Sequence, residues 1–368
     1  MDHDIYYDDD SLNDTICKRR RPLPEDEEDD NFFDFLVESD DENPEDMDYY
    51  GQINLVKLKS LRERLNWENE EERYPFYLRL SNLLRDWKGD LPNLKDIFRK
   101  EEIEWFLKEA LIDRKKTVQN KRGQFFICFV DSTGYRDEPD LDKDGKPILH
   151  RSTSVHLAAK QNSLGYTVLL SKIYENSDVN HIDESGFTYF HALCKINRCE
   201  KVEKYLELGQ DPNCLVTETG DSSLHLALYP GLWAKEMMGL LLKRGANPNL
   251  ANKEGLTPLH MICKSWNFRT SGDVANTFFE TTDANHQTIQ IDAKDKLGRT
   301  PLQLAVANLR PDLVDVLLDR GADLASFAFP TENYFAKEWK PDDDVKSPNC
   351  EEYDTEYMVQ PLGKVNSK

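Results

Sequence analysis

Five phrases of the chain align on one position: "TSVHLAA" from Thr153, "TYFHALC" from Thr188, "SSLHLAL" from Ser222, "TPLHMIC" from Thr257 and "TPLQLAV" from Thr300, at spacings of 35, 34, 35 and 43 residues. A second phrase trails them: "NSDVN" from Asn176, "GQDPN" from Gly209, "GANPN" from Gly245 and, after the fifth, "GADLA" from Gly321. Glycine precedes four of the five leading phrases, at Gly186, Gly220, Gly255 and Gly298. Self-similarity at this period argues for a row of like units, because one unit is too small to bury its own apolar face and needs its neighbours to do so.

Each unit reads as two helices. The Thr or Ser that opens each phrase can cap a helix N-terminus, and Pro258 and Pro301 stand in the first turn, where a missing N–H costs nothing. In "LVDVLLDRGAD", Leu313, Val316, Leu317 and Leu318 form an apolar face, and Gly321 falls where a left-handed residue closes the helix. Asn176 holds the matching place in the first unit, and asparagine is the usual substitute for glycine there.

These residues resemble the ankyrin repeat, a unit of about 33 residues that reads G-x-T-P-L-H-x-A-A and then a helix ending in G-A-D-x-N. The resemblance covers about Lys143 to Leu324. It implies an all-α fold, an ankyrin-repeat solenoid of helix-turn-helix units with β-hairpin fingers, joined to a helical N-terminal capping region. It also implies a non-enzymatic module that binds a partner protein through its finger tips and concave face.

His260 and Cys263, three apart on one helix, could be half of a metal or thiol site. Their repeat positions argue otherwise. They match His191 and Cys194, but also His156 and Ala159, His225 and Leu228, and Gln303 and Val306. A ligand cannot be exchanged for Ala, Leu and Val, whereas a small buried hydrophobe can. The resemblance gives the histidine an architectural role, tying the helix start to the adjoining turn, and Gln303 keeps a hydrogen-bonding side chain there. We therefore expect no metal, no cofactor and no catalytic residue. No P-loop, dinucleotide-binding glycine run, nucleophile elbow or HExxH stands in the chain, so we expect no enzyme.

The repeats are not uniform. In the first, Arg151 replaces the expected glycine before Thr153 and Tyr174 stands where a long apolar residue is usual, which predicts a distorted finger. In the fourth, "KSWNFRTSGDVANTFFETTDANHQTIQID" carries about ten extra residues, shared between the inter-helix turn and the approach to the fifth finger. Trp266 and Phe268 in this segment are candidate contact residues, or covers for nearby helix ends.

Four regions follow. Residues 1–50 form an acidic tail expected to be disordered, 51–122 a helical cap, 123–330 the array, and 331–368 a capping helix (Thr331 to Trp339) with an acidic disordered end. A cap is needed because a solenoid otherwise exposes an apolar end. Helical spacing of Ile103, Phe106, Leu107, Ala110 and Leu111 supports it. "FFICFVDSTGYRDEPD", with Gly134 as stop, reads as the degenerate second half of a repeat.

The formal charge is −22, and residues 1–50, with twenty Asp or Glu against four Lys or Arg, account for −16 of it. That balance argues against duplex nucleic acid or an anionic membrane as ligand. The longest apolar stretch, Phe125 to Val130, is far too short to span a bilayer. "MDHDIYYDDD" does not read as a secretory signal. The seven scattered cysteines fit free thiols in a reducing compartment. The expected location is the cytoplasm, or the nucleus if Lys18–Arg21 serves in import. The tail segment "NFFDFLVESDDE" sets Phe32, Phe33, Phe35, Leu36 and Val37 among acids. It reads equally as a docking or activation segment and as part of a solubilising tail. A regulatory adaptor, recruiting transcription or ubiquitin-ligase machinery through this tail, is the alternative to a simple binder.

The candidate partner-binding residues lie on the fingers and the fourth-repeat loop: Glu184, Ser185 and Phe187; Glu218 and Asp221; Lys253 and Leu256; Lys294, Lys296 and Arg299; and Trp266 with Phe268. Their charge runs from acidic to basic, which predicts a protein partner of complementary charge, bound by a chain that is a monomer on its own.

Overall fold

The computed structural model describes residues 44–112, 122–175, 179–229, 234–264, 271–324 and 327. Asn176, Trp266, Phe268 and the expected C-terminal helix from Thr331 lie outside these residues, as does most of the acidic tail.

Two helices, α1 (Pro44–Glu63) and α2 (Glu70–Arg85), precede the stack. Asn69 caps α2, its side chain accepting the Glu71 N–H at 3.1 Å, and three glutamates in the first turn complement the helix dipole. A single 3-10 turn, Leu94–Asp96, leads to α3 (Lys100–Ile112), which packs on α4 (Arg122–Ser132). Phe106 of α3 anchors an aromatic cluster, its ring centroid 5.6 Å from Trp67, 5.5 Å from Phe98 and 6.0 Å from Phe126.

Five helix pairs then run along the chain: α5 (Ser154–Lys160) with α6 (Leu164–Ile173), α7 (Tyr189–Lys195) with α8 (Cys199–Glu207), α9 (Ser223–Ala227) with α10 (Ala234–Lys243), α11 (Pro258–Lys264) with α12 (Ser271–Ala284), and α13 (Pro301–Ala307) with α14 (Pro311–Asp319). First helices pack on first helices along the row, α5 on α7, α7 on α9, α9 on α11 and α11 on α13. One continuous apolar core runs from Leu58 to Ala322.

The row does not begin at α5. Helix α3 packs on α5 and α4 on α6, so α3 and α4 occupy the place of a further unit at the N-terminal end. A boundary at residue 122 therefore separates two helices that pack as a pair. The sequence marks only the second half of this unit, in "FFICFVDSTGYRDEPD" with its stop at Gly134, because the first half lacks the Thr-x-x-His phrase.

The helix ends follow one rule. Asn162 (φ 57°) and Asn197 (φ 58°) close α5 and α7 in the left-handed region, and Gly209, Gly245 and Gly321 close α8, α10 and α14. In the fourth repeat this position is His286 (φ 55°), with the Gln287 N–H on Thr282 O at 2.9 Å just as the Ala246 N–H lies on Leu241 O. The trailing phrase is present there as "NHQ", without its glycine. Part of the extra length in this repeat extends a helix: α12 has 14 residues where α14 has 9.

Candidate interaction surface

Between helix pairs the chain makes short hairpin turns held by isolated β-bridges, and among the described residues no longer strand forms. An Asx residue builds four of them, at Asp142, Asp183, Asn252 and Asp295. In the second repeat Asp183 N–H donates to Phe187 O at 2.9 Å, while its Oδ1 accepts the Ser185 and Phe187 N–H groups at 2.9 and 3.0 Å. Asn252 does the same with Leu256 and Asp295 with Arg299. Side-chain oxygens thus replace backbone acceptors in a turn of five residues. The third finger has six, Val216 to Asp221, closed by Val216 N–H to Asp221 O at 2.8 Å.

Each finger is tied to the next by its backbone. Glu218 N–H donates to Ser185 O at 3.0 Å, Lys253 N–H to Thr219 O at 2.9 Å, and Lys296 N–H to Glu254 O at 2.9 Å. A second set of ties lies below: Asn213 Oδ1 accepts the Asn247 N–H at 2.7 Å, and Asn249 Oδ1 the Gln290 N–H at 2.8 Å. The fingertips therefore form one edge, with position fixed by hydrogen bonds and side chains left to vary.

The sequence candidates divide on that edge. Glu184, Glu218, Lys253, Lys294 and Lys296 are exposed, and Ser185 and Asp221 are half-buried. Phe187 and Leu256 are not surface residues: they are 4 % and 2 % exposed, and the Phe187 ring lies between His156 and His191, 6.2 and 5.6 Å between centroids. The fifth position of the finger turns inward, so it supplies core. Arg299 is also withdrawn, its Nε 2.6 Å from Asp295 with its side chain 11 % exposed. The charge sequence along the edge is thus Glu184, Glu218, then Lys253 beside Glu254, then Lys294 and Lys296.

Two groups at the ends of the first helices join this surface and were not among the sequence candidates. Lys160 reaches Asp183 at 3.2 Å, Ser185 at 3.0 Å and Glu218 at 3.8 Å. Lys195 donates to Ala159 O at 2.8 Å and lies 4.3 Å from the centre of the Tyr229 ring, and burial pushes its ammonium down to about 8. The signal was the shared position after "HLAA" and "HALC", which holds lysine in both units.

The repeat histidines serve the scaffold. In α7 the Thr188 N–H donates to His191 Nδ1 at 3.1 Å, and the His191 N–H donates to Thr188 Oγ1 at 3.2 Å, a reciprocal cap. Nε2 lies 3.2 Å from Cys214 O in the next unit. His156, His225 and His260 repeat this with His181, Leu256 and Arg299. Nδ1 accepting from a backbone N–H leaves the proton on Nε2, so the ring is neutral. Gln303 reproduces the capping half, its Oε1 accepting the Thr300 N–H at 2.9 Å. Burial raises the thiols of Cys194 and Cys263 well above the usual range and Cys214 up to about 12. Such thiols are protonated at neutral pH and poor nucleophiles. Among the described residues no group of three or more His, Cys, Asp or Glu could hold a metal ion.

The first repeat departs from the others in a definite way. Its finger has the same Asx turn, Asp142 N–H to Lys146 O at 2.8 Å with Gly145 at φ 74°. The glycine is therefore present, but eight positions before the cap Thr153 where Gly186 is two before Thr188. The added residues lengthen the hairpin, with Ile148 N–H on Asp140 O at 2.8 Å. Arg151 and Tyr174, the two irregular residues, belong to a polar junction. Arg151 makes a two-pronged pair with Asp137, 2.7 and 3.0 Å, and the Tyr174 hydroxyl donates to Glu104 of α3.

Paired helices in a row with fingers linked along one edge define a repeat solenoid, a class whose units touch only their neighbours. The family model described as ankyrin repeats (3 copies) matches residues 224–328, and this is an ankyrin-repeat protein. It is 27 % identical over 180 residues to the probable 26S proteasome regulatory subunit p28 of Saccharomyces cerevisiae, covering 49 % of this chain and 72 % of that one. Human transient receptor potential cation channel subfamily A member 1 is 24 % identical over 192 residues, 51 % of this chain and 15 % of the channel. Human BCL-6 corepressor-like protein 1 is 30 % identical over 116 residues, 31 % of this chain and 6 % of the corepressor. The match thus spans a small part of the two human relatives. Ankyrin repeats are a protein–protein interaction module, and among the described residues no helix is long and apolar enough to cross a membrane.

Proposed function

We propose that this protein binds another protein along the fingertip edge, with Glu184, Ser185, Glu218, Asp221, Lys253, Lys294 and Lys296 making contacts and no chemistry performed. The observation that carries this reading is the run of backbone bonds from Ser185 to Glu218, Thr219 to Lys253 and Glu254 to Lys296. It holds exposed charged side chains on a rigid edge, which lowers the entropy lost on binding. A channel, a corepressor and a proteasome subunit share the array. Their names describe unrelated activities, which fits a module that supplies binding alone.

The partner presents basic groups toward the second and third fingers and acidic groups toward the fourth and fifth. The net charge of −22 supports a protein rather than duplex nucleic acid. The described cysteines are free thiols, which fits the cytoplasm or nucleus, and the chain acts as a monomer on its own. The test starts from a partner captured by the full chain. Lys253→Glu with Lys296→Glu should lower its association rate about tenfold at low salt, with the difference shrinking as salt rises. Arg299 is left intact because its pair with Asp295 shapes the finger. An unchanged rate removes the fingertips as the contact.

A further inference from the structure

One cation beside the fingers is met by no anion of this chain. Lys160 and Lys195 hold the same place on α5 and α7, four residues after the capping histidine. Lys160 lies 3.2 Å from Asp183 and 3.8 Å from Glu218, so finger carboxylates balance its charge. Lys195 makes no ion pair with the described residues. Its Nζ donates to two neutral oxygens, Ala159 O at 2.8 Å and Asn162 Oδ1, and lies 4.3 Å from the centre of the Tyr229 ring. Asp221 acts on it only from beyond ion-pair distance.

The surroundings hold this ammonium in place. Asn162 Nδ2 donates to the Tyr229 hydroxyl at 2.9 Å across 67 residues, so the first and third units close around a lysine of the second. A solenoid otherwise joins only neighbouring units. The clasp orders a long side chain in advance, which removes part of the entropy lost on binding. Lys195 is half-buried, and the loss of water pushes its ammonium down to about 8. Carbonyl, amide and ring face offset that loss only in part, whereas a carboxylate would supply the missing countercharge. Glu184, Glu218 and Asp221 stand on the adjoining fingers, and they disfavour the double charge of a phosphate more than the single charge of a carboxylate.

We propose that Lys195 anchors an acidic side chain, Asp or Glu, of the protein bound along the fingertip edge. The assignment rests on the fingertip contact and adds the chemistry of one point in it. The partner then carries a carboxylate for Lys195 alongside the basic groups that meet Glu184 and Glu218.

Binding of the captured partner to the full chain tests this. Lys195→Met should weaken it about tenfold or more, and Lys195→Arg, which keeps the charge, should stay within about threefold of wild type. Between about pH 7.5 and 9.5 the wild-type affinity should fall as Lys195 loses its proton, while that of Lys195→Arg holds level. Without a partner, the Lys195 Cε resonance of the full chain reports the same contact: N-acetylglutamate amide should raise its titration midpoint, and N-acetylglutamine amide at equal ionic strength should not. Identical midpoints with the two probes overturn the anchor, as does wild-type binding by Lys195→Met. An equal loss in the Met and Arg variants with a level wild-type pH profile would assign Lys195 to the clasp alone and also overturn it. Binding abolished by phosphatase treatment of the partner would make the anion a phosphate, against the proposal. Lys253→Glu with Lys296→Glu separates the two readings: a partner that responds to that pair and ignores Lys195→Met leaves the edge standing without the anchor.

Discussion

His225 Nε2 lies 2.8 Å from the carbonyl oxygen of Leu256, 31 residues away in the next finger, while its Nδ1 accepts the Ser222 N–H at 3.2 Å. One neutral ring caps its own helix and holds the neighbouring unit. A proton on Nδ1 would remove the acceptor that Ser222 needs and put a charge in the core.

Acid should therefore loosen the stack. Burial pushes His156 and His191 down to about 4 from 6.5, and lowers His225 and His260 as well. The unfolded chain takes up these protons as pH falls through 6.5, and the folded chain resists until near 4. The stabilisation is complete above the unfolded value and is lost across that window, at most about 1.4 kcal/mol per pH unit for each histidine. Urea unfolding at a series of pH values measures it. Replacing the four histidines by Gln, as position 303 already has, should flatten the dependence; an equally steep fall would assign it to other groups.

Leu309 is in the wrong conformation for its side chain. It closes α13 at φ 53° and is 70 % exposed, so nothing is gained from burial. The same place holds Asn162 and Asn197, with matching bonds: Arg310 N–H to Ala305 O at 2.9 Å, as Ser163 N–H to Ala158 O at 3.0 Å. Leu309→Asn should stabilise the C-terminal repeats by about 0.5–1 kcal/mol, read as a higher urea midpoint. No gain would mean that the left-handed strain is relieved elsewhere.

Much of this was legible because the repeat spells its backbone. A left-handed closing residue demands Gly or Asn, a cap demands Thr or Ser, and both recur with the period. What escaped the sequence obeyed other rules. Only the second half of the α3–α4 unit was legible: α3 carries no repeat phrase, and aromatic burial around Phe106 and the polar contacts of Glu104 place it. Phe187 and Leu256 looked like variable finger residues, since alternation in identity reads the same at a surface and at a core site that accepts several shapes. Arg151 and Tyr174 looked like decay of the first repeat, whereas their partners Asp137 and Glu104 stand 14 and 70 residues earlier, outside the repeat phrase.

Glu104 should couple the N-terminal helices to the array. Its carboxylate accepts the Ser154 N–H at 2.6 Å at the start of α5, takes the Tyr174 hydroxyl from the end of α6, and lies 3.6 Å from Arg151. Burial raises its pKa, with Lys108, Tyr174 and Arg151 working to lower it. Glu104→Ala strands a buried N–H and leaves Arg151 with one partner fewer. The expected cost is about 3–5 kcal/mol. Exchange protection of α1 to α3 should then fall before that of α9 to α14. A uniform loss along the chain would contradict a local junction.

The finger ladder can be separated from turn strain by comparing two glycines. Gly255 and Gly298 have nearly the same conformation, φ 79° and 77°, so alanine at either costs about 1–2 kcal/mol from the left-handed backbone. Only Gly255 has a finger beyond it: an added Cβ would stand 2.7 Å from Lys296 N, whereas Gly298 has open space. Gly255→Ala must also displace the Lys296 N–H from Glu254 O, adding about 1 kcal/mol for the lost bond and the clash. Unfolding midpoints and the exchange rate of the Lys296 amide distinguish the two variants. Equal costs, with the Lys296 amide still protected in Gly255→Ala, would show that the fingers slide past one another and that the edge is not rigid.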